Sequence, residues 1–323
     1  MQGFAISPHL QEIMAYVGQL ETYAKGVEVI DKLVGIKISV SQLYRVANRY
    51  GMLVEEQLKE ECLSKAPVEV AQVNETEVVY AEMDGGMVLT DDGWLEAKVG
   101  RVFRESDCKL STSENRNGSI LQSQYSAYIG HYHDFTQRLN LSLSAYSQLG
   151  ERLIFITDGA LWIKNWMSDH YPNATQILDF FHVKEHLADF AKLAKPGLGV
   201  HEKWLDEQSL LLKQGKSGKI ISNVRSCTMS SPTAKKEQQK LLNYLSDNEY
   251  RMRYNEYLEA GLFIGSGAIE AAHRTVVQCR MKRSGQRWSP KGAQHMLNLR
   301  VTYMSNQWQK IINLIQSATD QAA

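Results

Sequence analysis

The chain has 323 residues, of which 43% are apolar and 22% are charged, and its 36 basic side chains balance its 36 acidic ones. This length predicts about two domains, and the composition predicts a globular protein with a sizeable core and excludes wholesale disorder. The zero net charge excludes a chain that is basic throughout, although it leaves room for a local basic surface.

Nothing in the sequence is typical of a membrane or secreted protein. No apolar run reaches the ~18 residues of a membrane span, and the N-terminus lacks the charged-then-apolar pattern of a signal peptide. The four cysteines form no Cys-x-x-Cys pair, which argues against a disulfide framework and against a cysteine-rich zinc site. We therefore expect a cytoplasmic protein.

The N-terminal segment, residues 7–65, is predicted to be helical. Ser7 and Pro8 are typical of a helix start, and the apolar residues that follow recur at helical spacing. A break near Gly35 separates two further helices. These two helices around a glycine-containing turn are a candidate helix-turn-helix, for which plain helix packing is the alternative.

The pattern changes to that of strands at about residue 77. Residues 78–84 and 87–90 predict two strands, and residues 94–99 predict a third. The Asp-Asp-Gly sequence at 91–93 predicts a hairpin turn between the last two. The polar residues 106–117 predict a surface loop.

Helices and strands alternate in the second half of the chain. The apolar run 153–156 is typical of a strand buried on both faces. The other predicted elements are helices at 131–149 and 160–169, a strand at 174–181, mostly helical sequence at 183–258, and helices at 268–283 and from about 290. This order predicts an α/β fold with one mixed sheet and a long helical insertion.

Three acidic residues stand where carboxylates could act together. Asp84 and Asp158 are each predicted to end an apolar strand, and Glu270 is predicted in the first turn of a helix. Chemistry on a phosphodiester commonly uses two metal ions ~3.5–4 Å apart, and Mg²⁺ prefers hard oxygen ligands. The alternative is structural, because Asp-Gly is a common turn dipeptide and glutamate favours a helix N-terminus through the helix dipole.

Four sequence blocks resemble bacterial insertion-sequence transposases of the ISKra type, which are related to Mutator-like transposases. The blocks are residues 82–86 (EMDGG), 155–166 (FITDGALWIKNW), 177–187 (ILDFFHVKEHL) and 265–270 (GSGAIE) with 280–288 (RMKRSGQRW). The likeness covers residues 77 to 303. It implies an RNase H-like fold with a large helical insertion before the last catalytic acid, and the N-terminal helical region predicted from the apolar spacing precedes this fold.

The resemblance also implies a division of the chain and a catalytic site. The expected parts are a helical region at 1–70, the first part of the catalytic core at 71–194, an insertion at 195–260, and the last part of the core at 261–323. The implied catalytic and metal-binding triad is Asp84, Asp158 and Glu270, which would hold two Mg²⁺ (or Mn²⁺) ions. The reaction would be hydrolysis at the transposon ends followed by strand transfer into target DNA.

His182 stands in an Asp-x-x-His sequence, a form seen in related transposases between the second and third acids. There it could contact a DNA phosphate, or it could be a structural histidine bonded to Asp179. Residues 182–186 also match the H-x-x-E-H pattern of a zinc peptidase, with His182 and His186 as ligands and Glu185 as base. We find no well-defined third zinc ligand in the sequence.

The segment 265–300 has seven basic side chains and one acidic one. Such a local excess of positive charge predicts contact with DNA phosphates, and a solvated helix end is the alternative. The expected DNA-binding residues, besides His182, are Arg274, Arg280, Lys282, Arg283, Arg287 and Trp288. We expect the indole of Trp288 to stack on an unpaired base.

The sequence therefore predicts a DDE transposase whose partners are DNA, at the terminal inverted repeats and at the target, and further copies of the chain in a dimer or larger assembly. The predicted transposase would need no organic cofactor, and it would be associated with the nucleoid when bound to DNA. Three alternatives remain: a catalytically inactive DNA-binding remnant, the zinc peptidase, and a host nuclease of the same fold.

Overall fold

The computed structural model describes residues 6–64, 77–109, 118–146, 152–195, 197 and 199–320. Contacts divide the chain into two compact units, which we call the first and the second unit. The first consists of Met1–Leu149 with Ala268–Ala323, and the second of Gly150–Gly267. The four-part division expected from the sequence stays a prediction, but its N-terminal and C-terminal parts belong to the same unit.

Three helices open the first unit, as the sequence predicts. The Ser7 hydroxyl accepts the backbone N–H of Leu10 at 3.4 Å and caps the first helix, and Gly35, at φ 72°, ends the second. The helices are α1 (Pro8–Leu20), α2 (Tyr23–Val34) and α3 (Val40–Ser64). The predicted break at Gly35 is confirmed, whereas DNA binding by these helices stays a prediction.

The first unit also holds an antiparallel set of strands in which β2 pairs with both β1 and β5. A short separate pair is formed by β3 and β4. The strands are β1 (Val79–Thr90), β2 (Gly93–Arg104), β3 (Cys108–Lys109), β4 (Ser119–Ile120) and β5 (Gln124–Ile129), and helix α4 (Tyr132–Ser144) follows them. The predicted hairpin turn is confirmed, because Thr90 pairs with Gly93. Residues 110–117 of the predicted surface loop lie outside the described residues.

The expectation that Asp84 ends a strand is wrong, because β1 continues through it to Thr90. Asp84 lies opposite Val99 of β2, and the two glycines after it are also paired in the ladder. The second of these glycines is required by crowding and not by a turn: a Cβ atom on Gly86 would collide with the imidazole of His273. Asp84 therefore projects from the middle of a strand.

The second unit begins with two parallel strands, β6 and β7, each followed by a helix. All five residues of β6 are buried, as its apolar sequence predicts. The elements are β6 (Leu153–Thr157), α5 (Leu161–His170), β7 (Thr175–Leu178), α6 (Phe180–Ala194), α7 (Val200–Lys213), α8 (Ser217–Ser226), α9 (Pro232–Asp247) and α10 (Tyr254–Glu259). The predicted strand at 174–181 ends early, because the Asp179 carboxylate accepts the Phe181 N–H and starts α6.

The chain then completes the first unit with helices, which pack on its sheet and on its N-terminal helices. One apolar cluster joins Val88 and Val99 of the sheet to Ile269 and Leu297, and another joins Tyr50 to the last two helices. The elements are α11 (Gly267–Ala272), a π-helical turn (His273–Gln278), α12 (Cys279–Met281), α13 (Pro290–Met304) and α14 (Gln309–Asp320).

The predicted α/β class is confirmed, with antiparallel pairs in the first unit and a parallel pair in the second. An RNase H-like topology and the status of the helices at 195–260 as an insertion stay predictions. Within the part of the chain that the structure describes, every helix is too short or too polar to traverse a bilayer.

A buried ionic network locks α3, α4 and α13 of the first unit together. The Arg138 guanidinium donates to the Glu55 carboxylate at 2.6 Å and to the Asn298 side-chain oxygen at 3.2 Å. The Asn298 amide nitrogen donates to the other Glu55 oxygen at 2.9 Å. All three residues are buried, so each group depends on the others for its hydrogen bonds.

We predict that Arg138→Met lowers the free energy of unfolding by about 3–5 kcal/mol, because it leaves the buried Glu55 carboxylate with only the exposed Lys59, 3.5 Å away, as a cation. The double variant Glu55→Leu with Arg138→Met removes both charges and should recover a large part of that loss. Urea denaturation followed by circular dichroism measures both. If the single and double variants were equally stable, the loss could not come from leaving the Glu55 charge unpaired, and the prediction would be wrong.

Candidate active site

Helix α11 and the π-helical turn that continues it are each tied to strand β1 at one point. The buried Glu82 carboxylate accepts the backbone N–H of Ile269 at 2.7 Å, and the Asp84 Oδ2 atom lies 3.5 Å from Nε2 of His273. Ile269 and His273 are one helical turn apart and so lie on the same side of the helix. Glu270 stands between these two ties, so its backbone is held beside the middle of β1.

The neighbouring strand strengthens the first tie. Arg101 lies opposite Glu82 in the ladder of β1 and β2, and its guanidinium donates to the carbonyl of Ala268 at 2.9 Å. One cation and one anion of the sheet therefore contact the two sides of a single peptide group, the one that joins Ala268 to Ile269. Carboxylates near a helix N-terminus are further stabilised by the helix dipole.

Asp84 and Glu270 differ in their surroundings but are both accessible. The Asp84 side chain is 45% exposed, and its Oδ1 atom accepts the N–H of Gly85 at 2.7 Å. Glu270 is exposed. Oxygen donors that reach solvent suit a hydrated Mg²⁺ ion, which keeps several of its waters when bound.

His273 and Glu82 are functional candidates that the sequence reasoning missed. The Nε2 atom of His273 is buried and has no hydrogen-bond partner among the described residues. It is therefore available either to orient the Asp84 carboxylate or to bind a ligand. His273 also begins the π-helical turn, a rare conformation that is frequent at functional sites. The sequence signal that could have identified them is their spacing. Glu82 and Asp84 are two residues apart and so share one face of a strand, and His273 follows Glu270 by three residues.

In the second unit, Asp158 directly follows the buried strand β6. Its Oδ1 atom accepts the N–H of Ala160 at 3.0 Å, which turns the chain towards α5. The fully buried Arg251 donates to the Thr157 hydroxyl at 2.5 Å and to the Asp158 carbonyl at 3.4 Å. Burial lowers the pKa of the Arg251 guanidinium. A fixed cation therefore holds the backbone of Asp158 while its side chain stays partly exposed.

Asp179 is a structural clamp in the second unit. Its side chain is buried, its Oδ2 atom accepts the Ser266 hydroxyl at 2.6 Å, and its Oδ1 atom accepts the N–H of Phe181 at 3.0 Å. The N–H of Phe180 donates to the carbonyl of Ile264 at 2.9 Å. The start of α6 is thus bonded to the chain segment that leads into α11.

His182 is bonded to another histidine and not to Asp179. Its Nε2 atom lies 3.2 Å from Nε2 of His186, one turn further along α6. The ring of Tyr244 packs against His186 with centroids 4.4 Å apart. Burial, followed by the proximity of His182, lowers the pKa of His186.

Metal-ligating side chains occur in pairs in this structure. Among the described residues, no group of three or more His, Cys, Asp or Glu side chains is close enough to hold one metal ion. The first unit holds the pair Asp84 and His273, and the second unit holds the pair His182 and His186.

The predicted DNA-binding residues of the C-terminal segment fall into three groups by exposure. Arg274, Lys282 and Arg287 are exposed. Arg283 is partly exposed, and its guanidinium forms an ion pair with Glu21 at 2.6 Å. The remaining two residues, Arg280 and Trp288, are buried in the first unit.

The base-stacking role expected of Trp288 does not fit its packing. Its ring is 7% exposed and its Nε1 atom donates to the carbonyl of Met281 at 3.1 Å. The Arg280 guanidinium packs against the rings of Tyr23 and Trp288, 4.8 and 5.0 Å from their centroids. Burial lowers the pKa of Arg280 to about 10. Both side chains therefore belong to the core, and neither is free to meet DNA.

We predict that Asp179→Ala lowers the free energy of unfolding by about 2–4 kcal/mol, because it removes a helix cap and two further hydrogen bonds to a buried carboxylate. Ser266→Ala removes only the hydroxyl and should cost about 1–2 kcal/mol. His182→Ala is the control, since His182 does not contact the clamp. Chemical denaturation measures all three, and equal stability of Asp179→Ala and His182→Ala would contradict the clamp.

Comparison with protein families identifies the family of this chain. The model of a family described as an uncharacterised protein family, UPF0236, matches residues 22–314. This family is associated with transposase-like insertion-sequence proteins. None of the curated proteins matches the chain.

Proposed function

Because the chain belongs to the uncharacterised protein family UPF0236, which is associated with transposase-like proteins, we propose that it is a DNA transposase of the DDE type. The observation that supports this proposal is the pair of ties between β1 and the helical segment 267–278, which hold the backbone of Glu270 against the strand that carries Asp84. The narrower likeness to the ISKra type rests on the sequence blocks alone.

The proposed reaction is hydrolysis of a phosphodiester at the ends of the element, followed by attack of the freed 3′-hydroxyl on target DNA. The residues available suit Mg²⁺ or Mn²⁺, since carboxylate oxygens are the ligands that these ions prefer. When bound, the ions supply the Lewis acidity that phosphodiester chemistry requires. Asp84, Asp158 and Glu270 are the proposed ligands, and the participation of Asp158 rests on the resemblance.

Other residues of the chain would position these carboxylates. His273 can donate to the Asp84 carboxylate and fix its orientation, as histidines and carboxylates do beside bound ions. Glu82 and Arg101 hold the first turn of α11, so they set the direction of Glu270. Arg251 holds the backbone at Asp158. Exposed Arg274, Lys282 and Arg287 are the proposed phosphate contacts.

The proposal includes two kinds of partner, DNA and further copies of the chain. DNA is the substrate, at the inverted repeats and at the target. Two ends must be paired for strand transfer, so we propose a dimer or larger assembly of this chain. A catalytically inactive DNA-binding protein is the competing proposal, and the experiment below separates the two.

We predict that Asp84→Asn, Asp158→Asn and Glu270→Gln each reduce DNA cleavage by about a thousandfold, because each removes a charged ligand worth ~4 kcal/mol of transition-state stabilisation. The substrate is a plasmid that carries the gene with its flanking DNA, and nicking with Mg²⁺ is measured on gels. Binding of the same DNA should change little.

Asp92→Asn is the matched control, because Asp92 is an exposed residue in the turn of the hairpin that carries Asp84. It should cleave as the parent protein does. Normal cleavage by Asp84→Asn would contradict the catalytic assignment. Binding of DNA without cleavage by the parent protein would favour the inactive protein.

A further inference from the structure

Trp94 is the most exposed aromatic ring beside the basic segment of the first unit. It stands directly after the hairpin turn, opposite Leu89 in the ladder, and 61% of its surface is accessible. The indole therefore presents an apolar face to solvent, and a ligand that covers this face removes it from water.

The ring of Trp94 lines a cleft of about 500 Å³ whose other residues include Lys282, Arg283 and Arg287. The Arg283 charge is balanced by Glu21. Lys282 and Arg287 are exposed, and within the described residues neither has an acidic side chain within ion-pair distance. The cleft thus combines one aromatic face with two uncompensated positive charges.

Backbone bonds hold the walls of this cleft in place. The N–H of Trp288 donates to the carbonyl of Leu89 at 3.2 Å, and the N–H of Asp91 donates to the carbonyl of Trp288 at 2.9 Å. The basic segment is therefore fastened to the tip of the hairpin that presents Trp94. A binding surface that is already ordered costs less conformational entropy when a ligand arrives.

We propose that this cleft binds an unpaired nucleotide of a DNA strand, with the base stacked on Trp94 and the neighbouring phosphates on Lys282 and Arg287. An aromatic ring beside positive charges is the combination that recognises single-stranded nucleic acid. The uncompensated charges favour a polyanion over an apolar protein surface as the occupant. The inference rests on the proposed function for its choice of DNA, and it gives Trp94 the stacking role that the sequence suggested for Trp288.

The test uses a short single-stranded oligonucleotide that contains 2-aminopurine, whose fluorescence falls when it stacks. Binding to the full chain is measured in EDTA, so that the result does not depend on cleavage. We expect fluorescence quenching with the parent protein, and for Trp94→Ala a loss of quenching with an affinity about 5- to 150-fold lower. Trp94→Phe should keep a large part of the affinity because it retains a ring.

Two sets of controls accompany this measurement. Leu121→Ala removes another exposed apolar side chain of the first unit and should change nothing. Lys282→Gln and Arg287→Gln should each reduce the slope of log affinity against log salt by about 0.7, the value for one phosphate contact on a single strand. Thermal unfolding of Trp94→Ala should match that of the parent protein, since the ring is exposed.

Unchanged affinity and quenching in Trp94→Ala would overturn the inference while leaving the proposed cleavage reaction intact. Absence of oligonucleotide binding by the parent protein would also overturn it. Loss of self-association in Trp94→Ala, with DNA binding retained, would identify a second copy of the chain as the occupant instead. Trp94-dependent binding without any cleavage activity would support the inference and count against the proposed function.

Discussion

The candidate site of the first unit depends on one buried interaction, the hydrogen bond from the Ile269 N–H to the Glu82 carboxylate. A carboxylate that is 1% exposed must have its lone pairs satisfied within the protein. Here it accepts one of the free N–H groups at the start of a helix, where negative charge is also favoured by the helix dipole. The start of α11, and with it Glu270, is thereby fastened to β1.

This arrangement explains why the sheet tolerates glycine in the middle of a long strand. Gly86 leaves the space that the His273 ring occupies, and the ring in turn reaches Asp84. A side chain at Gly86 would push α11 away from the sheet, since the interior of a protein has little free volume. The packing of the strand, the glycine and the helix therefore sets the separation of Asp84 and Glu270 in this unit.

Elements with a strong local pattern could be predicted from the sequence, whereas contacts made over long separations could not. The apolar run of β6 and the hairpin turn at Gly93 were both identified correctly, because periodicity and turn chemistry are local. Strand β5 was missed, since its alternation is short and weak. The Gly-Gly sequence after Asp84 resembled a turn in the sequence. Gly86 is in fact needed to make room for the His273 ring, and His273 lies far along the chain.

The same limit explains the mixed outcome for the basic segment. Composition shows how much charge a segment carries but not which side chains are buried. Arg280 and Arg287 look equally basic in the sequence. In the structure Arg280 is buried against the rings of Tyr23 and Trp288, whereas Arg287 is exposed. Likewise, Trp94 gave no sequence signal for stacking, because only the structure shows that the hairpin tip, and Trp94 with it, lies beside the basic segment.

The account requires that residues 84, 158 and 270 share bound metal ions, and metal-directed backbone cleavage tests this directly. Fe²⁺ replaces Mg²⁺ in sites made of oxygen ligands, and with ascorbate and peroxide it cuts the polypeptide only near the bound ion. The account predicts cuts near all three residues, suppressed together by excess Mg²⁺. Cuts confined to the neighbourhood of His182 and His186, or absent near residue 158, would contradict it.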